Sequence, residues 1–168
     1  MVTSSTKGIK HKVADYVVSI KNAELMSEVV LAPCHGRSVS EEVKDFASKI
    51  KKDYLDRLWL TELENFDEDI CEWPDTDPTA NCKLMTEFLD EFKKEGYNVG
   101  FAAKESTYNE DFGENCKSMS GYPLYWSPDD EDTTKSFKNY HPFGGWSIPT
   151  KKFLDNKFIC GSMGIISY

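Results

Sequence analysis

The hydrophobic pattern of the chain changes period several times, and each change predicts an element. Glu28–Ala32, EVVLA, is apolar after its first residue and stops at Pro33, the pattern of a short strand buried on both faces. The period then becomes helical. Val39, Val43, Phe46 and Ile50 recur at helical spacing, entered through Ser38 or Ser40, and Ser38-x-x-Glu41 reads as a capping box. Arg57–Glu64, RLWLTELE, returns to strand character, with Leu58, Trp59, Leu60 and Leu63 followed by carboxylates at Glu62 and Glu64. Asn81–Glu95 is the clearest helix, with Leu84, Met85, Phe88, Leu89 and Phe92 in one stripe and Gly96 as its stop. Tyr97–Ala103 reads as a strand, Ser106–Phe112 as a short helix ending at Gly113, and Tyr122–Trp126 as a short aromatic strand. Lys157–Gly161 and Gly164–Tyr168 complete the strand-like pieces. Near the start, Val13–Ile20 has strand composition, with Lys21–Met26 continuing it as a short helix, and residues 1–12 read as a disordered leader. Strand and helix alternate, which predicts βαβ units, a parallel sheet and a single domain over residues 13–168.

The 168 residues suffice for one well-packed core, and 39% hydrophobic content argues against global disorder. A net charge of −9 argues against a nucleic-acid partner, whose phosphates require clustered cations. No apolar run reaches membrane-spanning length, and the polar start lacks the apolar region of a secretory signal. The five cysteines, Cys34, Cys71, Cys82, Cys116 and Cys160, show no metal-binding spacing. Two bridges and one free thiol are expected in an oxidising compartment, with the pairs unassigned, and buried thiols otherwise. The acidic loop over residues 65–79 lacks the spacing and glycine of a calcium loop. His35 and His141 read as turn residues, and Cys34 beside His35 does not make a nucleophile pair by adjacency. No metal or cofactor is expected.

From about Ile20 onward the chain resembles glycoside hydrolase family 25, the lysozymes that cleave peptidoglycan, and most closely its divergent nematode branch. The resemblance is carried by VVLAPCHG before a helix, LWLTELE, and WPD before a long helix. It continues through EGYNVGFAAKESTYNEDFG, YPLYW, YHPFGGWSIPTKKF and a terminal ICG followed by a strand. The resemblance implies an irregular TIM-type (β/α) barrel with its active end at the C-terminal ends of the strands. Fewer than thirty residues precede VVLAPC, so the barrel is expected to be incomplete, lacking N-terminal strand–helix units. It also implies a secreted monomer acting on peptidoglycan in defence or digestion, although the chain shows no signal peptide.

Such hydrolysis uses a proton-donating carboxylic acid and a second stabilising carboxylate. The resemblance implies an Asp at the end of the first strand, an Asp-x-Glu pair on the fourth and an Asp on the last. Asp15 is the one acid near the first position, and it matches poorly. The central pair is Glu62-x-Glu64 when the acids are aligned, with Glu64 as donor and Glu62 replacing the Asp. It is Thr61-x-Leu63 when Trp59 is aligned. Both registers remain open. No acid follows Asp155, so the last-strand Asp is missing, and Lys152 stands where the family has Gln. Trp126, Tyr125, Trp146 and Tyr140 are implied to line a sugar groove, against the alternative that they fill the core. Impaired catalysis is the expectation, with a non-catalytic glycan binder or a partial product without a glycan role as the alternative.

Overall fold

A computed structural model of the chain describes residues 2–3, 12–62, 71, 73, 77–130, 132–159 and 162–167, with side chains described between Ala14 and Leu154. Seven strands form one sheet in sequence order: β1 (Val2–Thr3), β2 (Glu28–Ala32), β3 (Arg57–Leu60), β4 (Val99–Ala103), β5 (Leu124–Trp126), β6 (Lys151–Ile159) and β7 (Ser162–Ser167). The pairs from β1 to β6 are parallel, while β6 and β7 form an antiparallel hairpin. Helices α1 (Lys12–Asn22), α2 (Val39–Lys49), α3 (Pro78–Lys94) and α4 (Glu105–Phe112) supply the first crossovers. This is the α/β architecture that the alternating pattern predicts.

Local chemistry accounts for the helix ends. Ser38 caps α2 by accepting from the Glu41 amide, as the capping box predicts. Asp77 caps α3 through the Ala80 amide, and Pro78 occupies the first turn, where its missing N–H costs nothing. Helix α3 therefore begins before Asn81. It ends where Gly96 takes a φ of 92°.

The opening segment corrects the reading of Val13–Ile20 as a strand: it lies within α1. Val13, Tyr16, Val17 and Ile20 follow helical spacing, and this period outweighs the β-branched composition. Val2 and Thr3, assigned to the leader, pair in parallel with Leu31 and Ala32. Residues 4–11 lie outside the described residues. The last strands are longer than the sequence suggests, because Lys151–Asn156 joins β6 ahead of the expected start at Lys157.

The sheet has two chemically different faces. Val29, Leu31, Leu58, Leu60, Val99, Phe101 and Leu124 pack with Phe46, Met85, Phe88, Leu89 and Phe92 of α2 and α3 in the main core. The opposite face carries Glu28, Arg57, Trp59, Gly100, Tyr125 and Lys151, aligned by strand register. Glu28 on β2 forms an ion pair with Lys151 on β6. Four inter-strand steps of about 4.8 Å would separate these strands by roughly 19 Å in a flat sheet, beyond the reach of both side chains. The sheet is therefore curled into a half-barrel with this face inside. Gly100 lies opposite Trp59 in register and against its ring, and the Trp59 and Tyr125 ring centroids are 5.3 Å apart.

Two disulfides, Cys34–Cys71 and Cys82–Cys116, tie the loop after β2 to the segment after β3, and α3 to the segment after α4. Cys160 lies outside the described residues.

Candidate functional site

In a curled parallel sheet the loops that follow the strands converge at one end, so side chains just past β3, β4 and β5 are the natural candidates for chemistry. Glu62 lies two residues beyond β3 and is only 6% exposed. Strand alternation places it with Leu58 and Leu60 on the helix-facing side, opposite Trp59. Thr107 of α4 donates to Glu62 Oε1 at 3.0 Å, and Thr61 Oγ1 lies 3.4 Å from Oε2. Thr61 carries the ladder one step past β3 by donating its amide to Leu31 O at 3.0 Å. Glu64, the expected proton donor, lies outside the described residues.

The four aromatics expected to meet a sugar are all buried: Trp126 at 5% exposure, Tyr125 at 6%, Trp146 at 5% and Tyr140 at 9%. Three of them belong to the helix-side core. The Trp126 and Tyr140 rings meet edge to face at 5.3 Å, and Trp146 stacks on Phe101 at 6.0 Å. Their polar edges are also used internally. Trp146 Nε1 donates to Tyr122 O at 2.7 Å, and the Tyr140 hydroxyl donates to Trp146 O at 3.0 Å. Tyr125 lies on the concave face against Trp59, with Lys151 Nζ 5.5 Å from its ring. Trp59 Nε1 donates to Glu28 Oε2 at 3.1 Å, so this carboxylate is held near the N-terminal ends of the strands by an indole and an ammonium.

A cleft of about 620 Å³ opens past the C-terminal ends of β4 and β5. Its floor is apolar, from Pro128, Phe153 and Leu154, and its wall is polar, from Lys104, Asp129, Asp130, Asp132 and Thr133. Ser106 donates to Asp129 across it. The sequence signal for this wall is the run PDDEDTT, which reads only as an acidic turn, because nothing local shows that β4 and β6 close around it. Asp132 is held well below the usual carboxylate range by hydrogen bonds from the Lys152 ammonium and then from Thr134. An aqueous cleft with one ammonium, several carboxylates and an apolar floor is suited to binding a polar, hydroxyl-rich or amine-bearing ligand. Among the described residues, no helix is long and apolar enough to cross a membrane.

Comparison with known proteins agrees with this architecture. A family model described as Lysozyme-like protein 1 matches residues 2–153. Lysozyme-like protein 5 of Caenorhabditis elegans is 30% identical over 96 residues, covering 57% of this chain and 40% of that protein. The chain thus spans well under half the length of that curated relative. Probable GH family 25 lysozyme 5 of Dictyostelium discoideum is 29% identical over 152 residues, covering 85% of this chain and 67% of that protein. The muramidase from Trichobolus zukalii superposes with a TM-score of 0.70 at 15% identity, covering 98% of this chain and 77% of that one, a likeness of fold. With the family model matched over residues 2–153, the chain belongs to the lysozyme-like protein 1 family, within the glycoside hydrolase family 25-like lysozymes.

Proposed function

We propose that this protein is a peptidoglycan-directed lysozyme homologue with an impaired hydrolytic step, which engages the glycan at the C-terminal end of its half-barrel. One observation carries the reading: Glu62 turns to the helix side and is hydrogen-bonded by Thr107. Glycoside hydrolysis needs two carboxyl groups flanking the scissile bond, about 5 to 9.5 Å apart according to mechanism. Glu62, bonded to Thr107 of α4, is turned away from a sugar on the inner face. Glu28, the inner-face carboxylate, is neutralised by Lys151 at the wrong end of the strands.

The half-barrel is read as an incomplete member of the TIM-type lineage, acting as a monomer. Two disulfides support an extracellular or otherwise oxidising location, in keeping with a role in defence or digestion. The retained fold and cleft favour glycan binding over a product without any glycan role.

The test combines clearing of a bacterial-wall suspension with retention on insoluble peptidoglycan, for the wild type and the Glu62→Gln and Glu64→Gln variants. The expected result is retention with little release of reducing ends, unchanged by either substitution. Rapid clearing by the wild type, lost in Glu62→Gln or Glu64→Gln, would overturn the impaired reading. Absence of retention would remove the glycan reading itself.

A further inference from the structure

We propose that Lys152 is the positioning residue of the cleft: its buried ammonium folds the loop after β5 into the wall that a ligand meets. The identity of that ligand rests on the reading above, whereas the geometry of the loop does not.

Lys151 and Lys152 are consecutive on β6, so the pleat sends them to opposite faces. Lys151 reaches Glu28 inside the half-barrel, and Lys152 turns to the helix side, where its side chain is 0% exposed. A buried ammonium is costly unless a negative partner and acceptors for all three protons surround it. Lys152 has both. Nζ donates to Asp132 Oδ2 at 2.7 Å, Thr134 O at 3.0 Å and Ser136 O at 3.1 Å. The three acceptors come from alternate residues of one loop, which wraps the cation. The Trp126 ring lies 5.0 Å from Nζ on a further side.

Asp132 extends the same network. It accepts from the Thr134 amide at 2.9 Å, the Thr134 hydroxyl at 2.6 Å and the Asn139 side chain at 3.1 Å. Residues 127–140, of which Glu131 lies outside the described residues, contain no helix or strand to hold them. Without the ammonium, two carbonyls and a carboxylate would converge on an empty point, and the loop would have to reorganise. The same loop places Asp129, Asp130, Asp132 and Thr133 along the cleft. The wall therefore stands where Lys152 sets it. Trp126, in this arrangement, acts on the cleft by covering the ammonium and not by touching a sugar.

The test uses the full chain with Lys152→Met, which keeps length and removes charge, and Asp132→Asn on the loop side of the pair. Hydrogen exchange of the amides of residues 132–140 is measured beside the thermal melt and retention on insoluble peptidoglycan. The expected result is a cooperative melt with at least about tenfold loss of protection confined to the loop, larger for Lys152→Met, and weaker retention in step with it. Loop protection within about twofold of wild type in a folded variant would overturn the proposal. If Lys152→Met does not fold, Asp132→Asn decides by the same measure. A wild type that is not retained on peptidoglycan sinks the glycan reading, while the exchange comparison still decides the role of Lys152.

Discussion

Gly100 shows how one absent side chain shapes the inner face. A Cβ at this position would lie 2.4 Å from Trp59 Cζ3 and 2.8 Å from Pro123 O, and the second neighbour is backbone that cannot swing away. Gly100→Ala is expected to destabilise the protein by about 3 kcal/mol through overpacking, visible as a lowered thermal midpoint. Unchanged stability would mean that Trp59 has room to move. Titrating side chains make a second residue-scale prediction. Burial pushes the Tyr97 hydroxyl up to about 12, and burial also raises Tyr108 and Tyr122, the latter with the added effect of its bond to Asp90. Free tyrosine titrates near 10, so above that pH the unfolded chain releases protons that the native protein keeps. Stability should therefore fall as pH rises from about 10 through 12, together with a delayed phenolate absorbance. Asp132 has the opposite sign. Its depressed value stabilises the fold above the ordinary carboxylate range, near 4, and that contribution is lost as pH falls further.

At the scale of elements, the disulfides and the packed crossovers divide the task of holding the segments around the sheet. Helix α3 presents Met85, Phe88, Leu89 and Phe92 to the core, all fully buried, so packing holds its apolar face in place. The loops after the strands have no comparable apolar stripe. There Cys34–Cys71 and Cys82–Cys116 close sequence separations of 37 and 34 residues. By loop-closure entropy each bridge contributes roughly 3–4 kcal/mol. Replacing Cys82 and Cys116 together by Ala should lower the denaturation free energy by an amount of that order, measured in urea at constant pH. The same loss should appear in wild type on selective reduction of this bridge. A loss well below about 1 kcal/mol would show that the α3–α4 packing already confines the segment.

For the whole molecule, the question is what keeps an open parallel sheet curled. The Glu28–Lys151 pair joins β2 to β6 across three intervening strands, with side-chain exposures of 20% and 24%. It is partly shielded, and the Trp59 indole adds a further donor to Glu28. A double-mutant cycle with Glu28→Gln and Lys151→Met is expected to give a coupling of about 1–2 kcal/mol, larger than for exposed pairs. Coupling near zero would assign the curl to the Trp59–Tyr125 contact instead. The same pair explains why an incomplete barrel keeps a defined mouth, since it fixes the far end of the strands while the loops at the near end form the cleft.

The sequence by itself determined the order and kind of most elements, the stripe of α3, the Ser38 cap of α2, the Gly96 stop of α3 and the family. These depend on period, composition and residues within a few positions of one another, which a linear reading contains. It misjudged Val13–Ile20, where β-branched composition competed with a helical period. The site depended on tertiary structure. Whether Glu62 or Thr61 faces inward turns on a one-residue shift of register, and the pleat reverses every side chain with such a shift. The hydrogen bond from Thr107 to Glu62 spans 45 residues, a contact that the local sequence does not contain. The burial of Trp126, Trp146 and Tyr140 was likewise decided by their mutual contacts. Glu28 and Lys151, 123 residues apart, and Asp132 and Lys152, 20 apart, have no local signal, because the first pair meets through the curl of the sheet and the second through the folding of the loop back onto β6.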